Sequence, residues 1–287
     1  AKECGHTMRY IPIIGISRSH GPAAARNIGW RAACGEIIAF TDDDCIPASG
    51  WLKAGCAAFV DGIAAVSGRI IVPRSDTPTD YEYNVAYLEH SKFITANSFY
   101  QRSALLSVGG FDERFTVSWR EDSDLFFTLL KQNNKYTFAP EATVIHPVRP
   151  APWGISLRQQ RKSMFNALLY KKHRDLYWQK IQPSPPWHYY SIMVALLALC
   201  ISIWKRAKLT ALSSLFIWIY LTGQFCLQRL RHTSHTPGHV VEMIVTSILI
   251  PPLAIFWRIT GMIKFRVLFL CILTSPWCRS LKDGKRS

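Results

Sequence analysis

A chain of 287 residues with 49% hydrophobic side chains has ample apolar content for one large core or two smaller ones. Its formal net charge of +15 is unevenly spread: residues 1–148 hold 14 Lys/Arg against 16 Asp/Glu, residues 149–180 hold 8 against 1, and residues 181–287 hold 12 against 2. That near-neutral first half excludes a nucleic-acid groove there, and the basic excess lies beside apolar segments, where an anionic membrane surface is the fitting partner. The eight cysteines form no C-x-x-C pair, which argues against a zinc site or a disulfide scaffold.

In chain order, the run from Ile11 to Ile16 reads as an edge strand. Gly21-Pro22 followed by three alanines opens a helix, because proline suits the first helical turn, and the helix is expected to run to about Cys34 with Gly35 as its stop. Residues 36–41 form an unbroken apolar strand, which predicts a parallel sheet covered on both faces. This strand runs straight into Asp42, Asp43 and Asp44, beyond a strand end, where α/β sheets bind ligands. On an extended segment alternate side chains share a side, so Asp42 and Asp44 are expected to face one ligand while Asp43 faces away or bonds locally. Two converging carboxylates repel unless a cation such as Mg²⁺ or Mn²⁺ joins them; a solvated acidic turn ahead of Pro47 is the other reading. Glu121-Asp122 precede the apolar run 125–130, so a helix is expected to begin there, with its N-terminus favouring charged carboxylates.

From Trp187 the sequence changes character. His188–Trp204, the uncharged stretch Leu209–Leu227 and Val240–Trp257 are three candidate membrane segments, set against the roughly 20 apolar residues that a span needs. Lys205, Arg206 and Lys208 separate the first two, and the tail after Trp257 holds seven Lys/Arg. The positive-inside tendency keeps both clusters on the same side as the N-terminal half only if the second and third segments cross and the first is re-entrant or interfacial. Upstream, Leu157, Met164, Phe165 and Leu168 lie near one helical face with Arg158, Arg161 and Lys162 beside them. They predict an amphipathic surface helix that links the halves, ended by the PSPP run at 183–186.

Four motifs in order carry a resemblance: Ala25-Arg26-Asn27-Ile28-Gly29, Asp42-Asp43-Asp44, Asn97 through Arg102 with Gly109-Gly110-Phe111-Asp112, and Glu121-Asp122. Together they resemble the family 2 glycosyltransferases of GT-A type, over roughly residues 10–150. The resemblance implies a Rossmann-like α/β GT-A domain lacking its first β/α units, followed by a C-terminal α-helical membrane region. It implies that Asp42 and Asp44 bind a divalent metal, Mn²⁺ or Mg²⁺, that holds a nucleotide-sugar diphosphate, Asp44 being the better candidate for direct coordination, with Asp43 alongside. Asp122, with Glu121 beside it, would be the general base on the acceptor hydroxyl, and attack opposite the leaving diphosphate would invert the anomeric carbon. Arg26 would approach the diphosphate, and Asn97, Asp112 and Trp119 would lie in the acceptor region. His146 would be a further metal ligand, as a late histidine is in some GT-A enzymes. Residue by residue, Glu-Asp in a first turn is also ordinary helix chemistry, Arg26 also fits a surface ion pair, a strand-end histidine is also structural, and Trp119 also fits a core.

The polymer-extruding members' Gln-x-x-Arg-Trp is not matched; Gln159-Gln160-Arg161-Lys162 lacks the tryptophan. A single-addition enzyme acting on a glycan or lipid-linked acceptor is therefore expected, divided as residues 1–150 catalytic, 151–186 basic linker and 187–287 membrane region. The resemblance places it in a bacterial inner membrane with the catalytic domain in the cytoplasm, with nucleotide sugar, acceptor and lipid as partners and no nucleic acid. Two other readings stay open: a sugar nucleotidyltransferase, and a catalytically silent membrane protein that binds a glycan or a partner.

Overall fold

The structure, a computed structural model, describes residues 11, 21–91 and 93–269. The expected strand at 11–16 and the end of the basic tail lie outside the described residues. Along the chain come α1 (Pro22–Ala32), β1 (Ile37–Phe40), β2 (Ile46–Pro47), α2 (Trp51–Ala57), β3 (Ile63–Ile71), α3 (Asp80–Ala86), β4 (Ser98–Gln101), α4 (Arg102–Val108), α5 (Glu121–Lys131) and β5 (Lys135–Ile145). Then follow α6 (Ile155–Gln159), a 3-10 turn (Gln160–Met164), α7 (Phe165–Lys172), α8 (Arg174–Lys180), α9 (Trp187–Trp204), α10 (Lys208–Leu230) and α11 (Pro237–Phe265). The described chain divides into two compact units, one of residues 21–69 and 93–144, the other of residues 70–91 and 145–269.

The first unit is built on a five-stranded sheet of order β1-β4-β3-β5-β2. Strand β4 lies antiparallel to both neighbours, pairing Ile37 with Gln101 and Phe40 with Ser98 on one side, and Ala65 with Tyr100 on the other. The parallel pairing expected of β1 is thus not what its described neighbour makes. The unbroken apolar run reports burial of both faces rather than strand direction. Phe40 packs edge-on against Tyr100 and Phe111 on one face, with ring centroids 5.9 and 5.2 Å apart. On the other face Ile37 and Ala39 pack on the cluster of Trp51, Val66, Phe99, Ala142 and Val144.

Helix α1 starts at Pro22 as expected but ends at Ala32, short of Cys34 and Gly35. Ala33 is already extended, and the Arg102 guanidinium takes the orphan carbonyls of Ala33 and of Arg31, the latter at 3.3 Å. A side-chain donor at a helix end does here what a glycine stop was expected to do.

The second unit is helical. Residues 155–180 form not one amphipathic surface helix but short pieces broken by the 3-10 turn, and Met164, Phe165 and Leu168 are buried. The turn's backbone meets α11 so closely that a Cβ at Gly261 would lie 2.4 Å from the Met164 carbonyl oxygen. Segments α9, α10 and α11, of 18, 23 and 29 residues, are long and apolar enough to cross a membrane. Segment α9 is an unbroken helix, not a re-entrant turn. Val194, Leu197 and Ile203 on α9 and Leu209, Leu212 and Phe216 on α10 stand exposed, an arrangement suited to lipid rather than water.

At the N-terminal end of α3, Thr79 and Glu82 form a reciprocal capping box. Beside it Asp80 receives a two-pronged ion pair from Arg229 of α10, at 2.8 and 3.3 Å. The same guanidinium donates to the hydroxyls of Thr246 and Ser247 at 2.7 and 3.1 Å, so a charge in an apolar helix is fully occupied inside the unit.

Candidate active site

The acidic motifs meet in the first unit. Asp42 to Cys45 form a turn, closed by the Cys45 N–H donating to the Asp42 carbonyl at 3.1 Å, and not the extended segment expected. In this turn Asp42 and Asp44 are half-buried and Asp43 is exposed. Cys45 lies between strand and turn as a neutral thiol, because burial, helped by the charges of Asp42 and Asp44, pushes it up to about 11. The donor set offered here is therefore carboxylate oxygen, the hard chemistry that suits Mg²⁺ or Mn²⁺.

Helix α5 begins at Glu121 as expected, with Glu121, Asp122 and Asp124 in its first turn. The electrostatic outcome differs from the expectation. Burial raises the Asp122 carboxyl above the ordinary range, against the Ser123 N–H at 2.6 Å and the charges of Arg120 and Arg26. Glu121 is pushed up to about 7, first by burial and then by the charge of Asp122, and its Oε2 has no hydrogen-bond partner. Desolvation of two adjacent carboxyls outweighs what a helix N-terminus supplies. A carboxyl raised towards neutrality is a stronger base once ionised.

Arg26, for which a diphosphate contact or an ion pair was expected, makes ion pairs that join the two motifs. Its Nη1 donates to Glu121 Oε1 at 2.7 Å and its Nη2 to Asp42 Oδ1 at 3.1 Å. The side chains are 15% exposed for Arg26, 29% for Asp42 and 2% for Glu121.

Asn27, the next residue, was not singled out in the sequence, although it stands in the Ala-Arg-Asn motif. Its amide accepts from the Phe111 N–H and donates to the Phe111 carbonyl, both at 2.8 Å, and it also binds Glu113 and the Trp30 indole at 3.0 Å. It pins the Gly-Gly-Phe-Asp loop. Gly110 is obligatory there: its φ is +82°, and a Cβ would lie 2.5 Å from Asn27 Oδ1. In that loop Asp112 is held by the Arg114 guanidinium, at 2.6 Å to Oδ2 and 2.9 Å to Oδ1.

Asn97, expected in the acceptor region, is fully buried and its amide is engaged inside the domain. It accepts from the Trp51 indole at 2.9 Å and donates to the carbonyls of Arg69 and Ala142 at 2.7 and 2.8 Å, clasping α2, β3 and β5. Trp119 is 37% exposed, with the Arg120 guanidinium 4.5 Å above its ring. Arg120 holds a left-handed backbone, φ 75°, immediately before the acidic pair, a strained position costing about 1 kcal/mol or more that nothing in the residue pattern announced. His146 follows β5 in the second unit, and its N–H donates to the Ile71 carbonyl at 2.8 Å.

A sheet-based α/β domain thus gathers two acidic motifs around one arginine, and the chain continues into three helices long and apolar enough to cross a membrane. The family model for glycosyl transferase family group 2 matches residues 38–260, and the chain belongs to that family. Its α/β domain is the five-stranded sheet of order β1-β4-β3-β5-β2 with flanking helices. The chain is 33% identical over 160 residues to the pre-mycofactocin glycosyltransferase of Mycobacterium tuberculosis, a match covering 48% of this chain and 33% of that protein. It is 28% identical over 165 residues to glycosyltransferase AglE of Haloferax volcanii, covering 52% of this chain and 51% of that protein. The chain thus spans between a third and about half the length of these curated relatives. Among solved structures, the mannosyltransferase PcManGT from Pyrobaculum calidifontis, in complex with GDP-Man and Mn²⁺, overlaps at a TM-score of 0.47 and 17% identity, covering 83% of this chain and 67% of that one.

Proposed function

We propose that the protein is an inverting, divalent-metal-dependent glycosyltransferase that moves a sugar from a nucleotide-diphosphate donor to a membrane-associated glycan or lipid-linked acceptor. The observation that carries this reading is the Arg26 bridge, which brings Asp42 of the first acidic motif and Glu121 of the second into one site. Asp42 and Asp44 would hold the metal, which supplies charge stabilisation to the leaving diphosphate. Asp122, raised by burial, takes the proton of the acceptor hydroxyl, and Glu121 beside it keeps the acidic pair facing Arg26. Attack from the face opposite the diphosphate inverts the anomeric carbon. Asp112 and the Trp119 ring are the nearest candidates in sequence for acceptor contacts, a stacking surface in the case of Trp119. We divide the protein at residues 150 and 186 into catalytic domain, basic linker and membrane region. The three apolar helices support a membrane location; with α10 and α11 crossing and α9 lying at the interface, Lys205, Arg206 and Lys208 stay on the catalytic side, which supports a cytoplasmic catalytic face.

The test is nucleoside diphosphate release by the full-length protein in detergent with Mn²⁺, from a panel of UDP-, GDP- and TDP-sugars. Release from one donor that both Asp44→Asn and Asp122→Asn abolish supports the reading. No release from any donor, with no metal-dependent nucleotide binding, would sink it in favour of the silent membrane protein.

A further inference from the structure

The two carboxylates that Arg26 holds belong to motifs with different proposed work, one on the metal and one beside the base. They are held by different nitrogens of a single planar fork, Nη1 on Glu121 Oε1 at 2.7 Å and Nη2 on Asp42 Oδ1 at 3.1 Å. The fork sits on α1, whose next residue, Asn27, is fastened to Phe111 by two 2.8 Å hydrogen bonds, so the helix carrying it is fixed relative to the loop before α5. The Arg26 guanidinium also lies 5.8 Å from the Phe111 ring centroid, a cation–π contact with the same loop. A cation arriving at Asp42 would therefore meet a carboxylate already engaged by an arginine through one of its oxygens. Glu121, 2% exposed, has no such competitor and keeps its hold on the other nitrogen.

Resting on the metal reading above, we propose that Arg26 is a positioning residue that couples the two acidic motifs: it occupies Asp42 until a divalent cation displaces it, and then serves Glu121 alone. The coupling is reciprocal, as any equilibrium linkage must be. Metal at Asp42 tightens the Arg26–Glu121 pair, and loss of charge at Glu121 frees Arg26 to hold Asp42 and so weakens metal binding. The coupling ties readiness of the acidic pair to occupancy of the donor side.

The experiment is Mn²⁺ binding to the full-length protein in detergent, without donor or acceptor, followed by titration calorimetry. Arg26→Gln removes both the competitor and a repelling charge, and Mn²⁺ binding should tighten, by about tenfold on the usual scale of such couplings. Glu121→Gln should weaken it by a similar factor, and that weakening should vanish in the Arg26→Gln background. Arg26→Lys retains the charge and guards against misfolding of the glutamine variant. A single ammonium cannot fork between both carboxylates, so in this background too Glu121→Gln should have little effect. A merely structural arginine would leave Mn²⁺ affinity unchanged or lower it on substitution, and either result overturns the proposal. So does a Glu121→Gln effect that persists unaltered without Arg26. Wild-type protein that binds no Mn²⁺, or binds it equally after Asp44→Asn, refutes the metal reading itself and the coupling with it. Wild-type binding lost in Asp44→Asn but untouched by Arg26→Gln refutes the coupling alone.

Discussion

Substituting Asn27 by alanine is the sharpest probe of how the candidate site is held together. The Asn27 side chain is 1% exposed and connects α1 to the Phe111 backbone by two 2.8 Å hydrogen bonds, with the Trp30 indole and Glu113 at 3.0 Å. Alanine leaves the Phe111 N–H and carbonyl and the Trp30 indole N–H without their partner. Each buried polar group so stranded costs about 1–3 kcal/mol, and water entering the vacated space relieves part of this, so a total of roughly 3–4 kcal/mol is expected. For a protein of this size that is on the order of a 10 °C fall in Tm. Thermal unfolding in mild detergent, followed by tryptophan fluorescence, reads it directly. The loop bearing Asp112 should loosen at the same time, so turnover should fall even at temperatures where the variant is folded. Asn27→Asp keeps the acceptor oxygen but loses both donated bonds and sets a negative charge beside Glu113, so it should not rescue. A shift below about 2 °C for Asn27→Ala would refute the clamp, because even one stranded group exceeds that.

Glu121 makes stability depend on pH. Its folded-state carboxyl is raised to about 7 by burial, so the stability it contributes is fully present below the ordinary carboxyl range and is lost as pH rises through 7. Glu121→Gln should remove that part of the fall in Tm between pH 5 and 8, and a slope identical to wild type would count against the buried position. In the helical unit, Asp80→Asn strips the partner from an Arg229 side chain that is itself only 9% exposed, and should destabilise by about 3 kcal/mol or more; adding Arg229→Met should recover much of the loss, measured by the same thermal assay. Chelation of divalent cations should abolish turnover, and Mn²⁺ or Mg²⁺ should restore it to wild type but not to Asp44→Asn, as read by diphosphate release.

The acidic groups and the membrane helices were legible because each is a local pattern. Asp42–Asp44 follow an apolar strand, Glu121-Asp122 open a helix, and α9 and α10 are runs of apolar side chains near the expected bounds, whereas α11 runs on past the expected Trp257 to Phe265. What was not legible depends on which distant partner each group meets. The hydrogen bonds of Asn27 reach Phe111, 84 positions away, and those of Asn97 reach Trp51 and Ala142. The helix N-terminus was expected to keep Asp122 charged, but burial beside Glu121 outweighs it, and burial is a tertiary property. The linker failed as a single surface helix for the same reason: its apolar face met α11 at Gly261, and the close approach accompanies a break in the helix.

The most direct test of transfer itself uses membranes carrying the full-length protein, a labelled nucleotide sugar that the protein accepts, and extraction of the lipid-soluble and glycan fractions. Wild type should move label into one of those fractions, while Asp122→Asn should bind the same donor and move none. Equal incorporation by Asp122→Asn, or none by the wild type despite donor binding, would contradict the account.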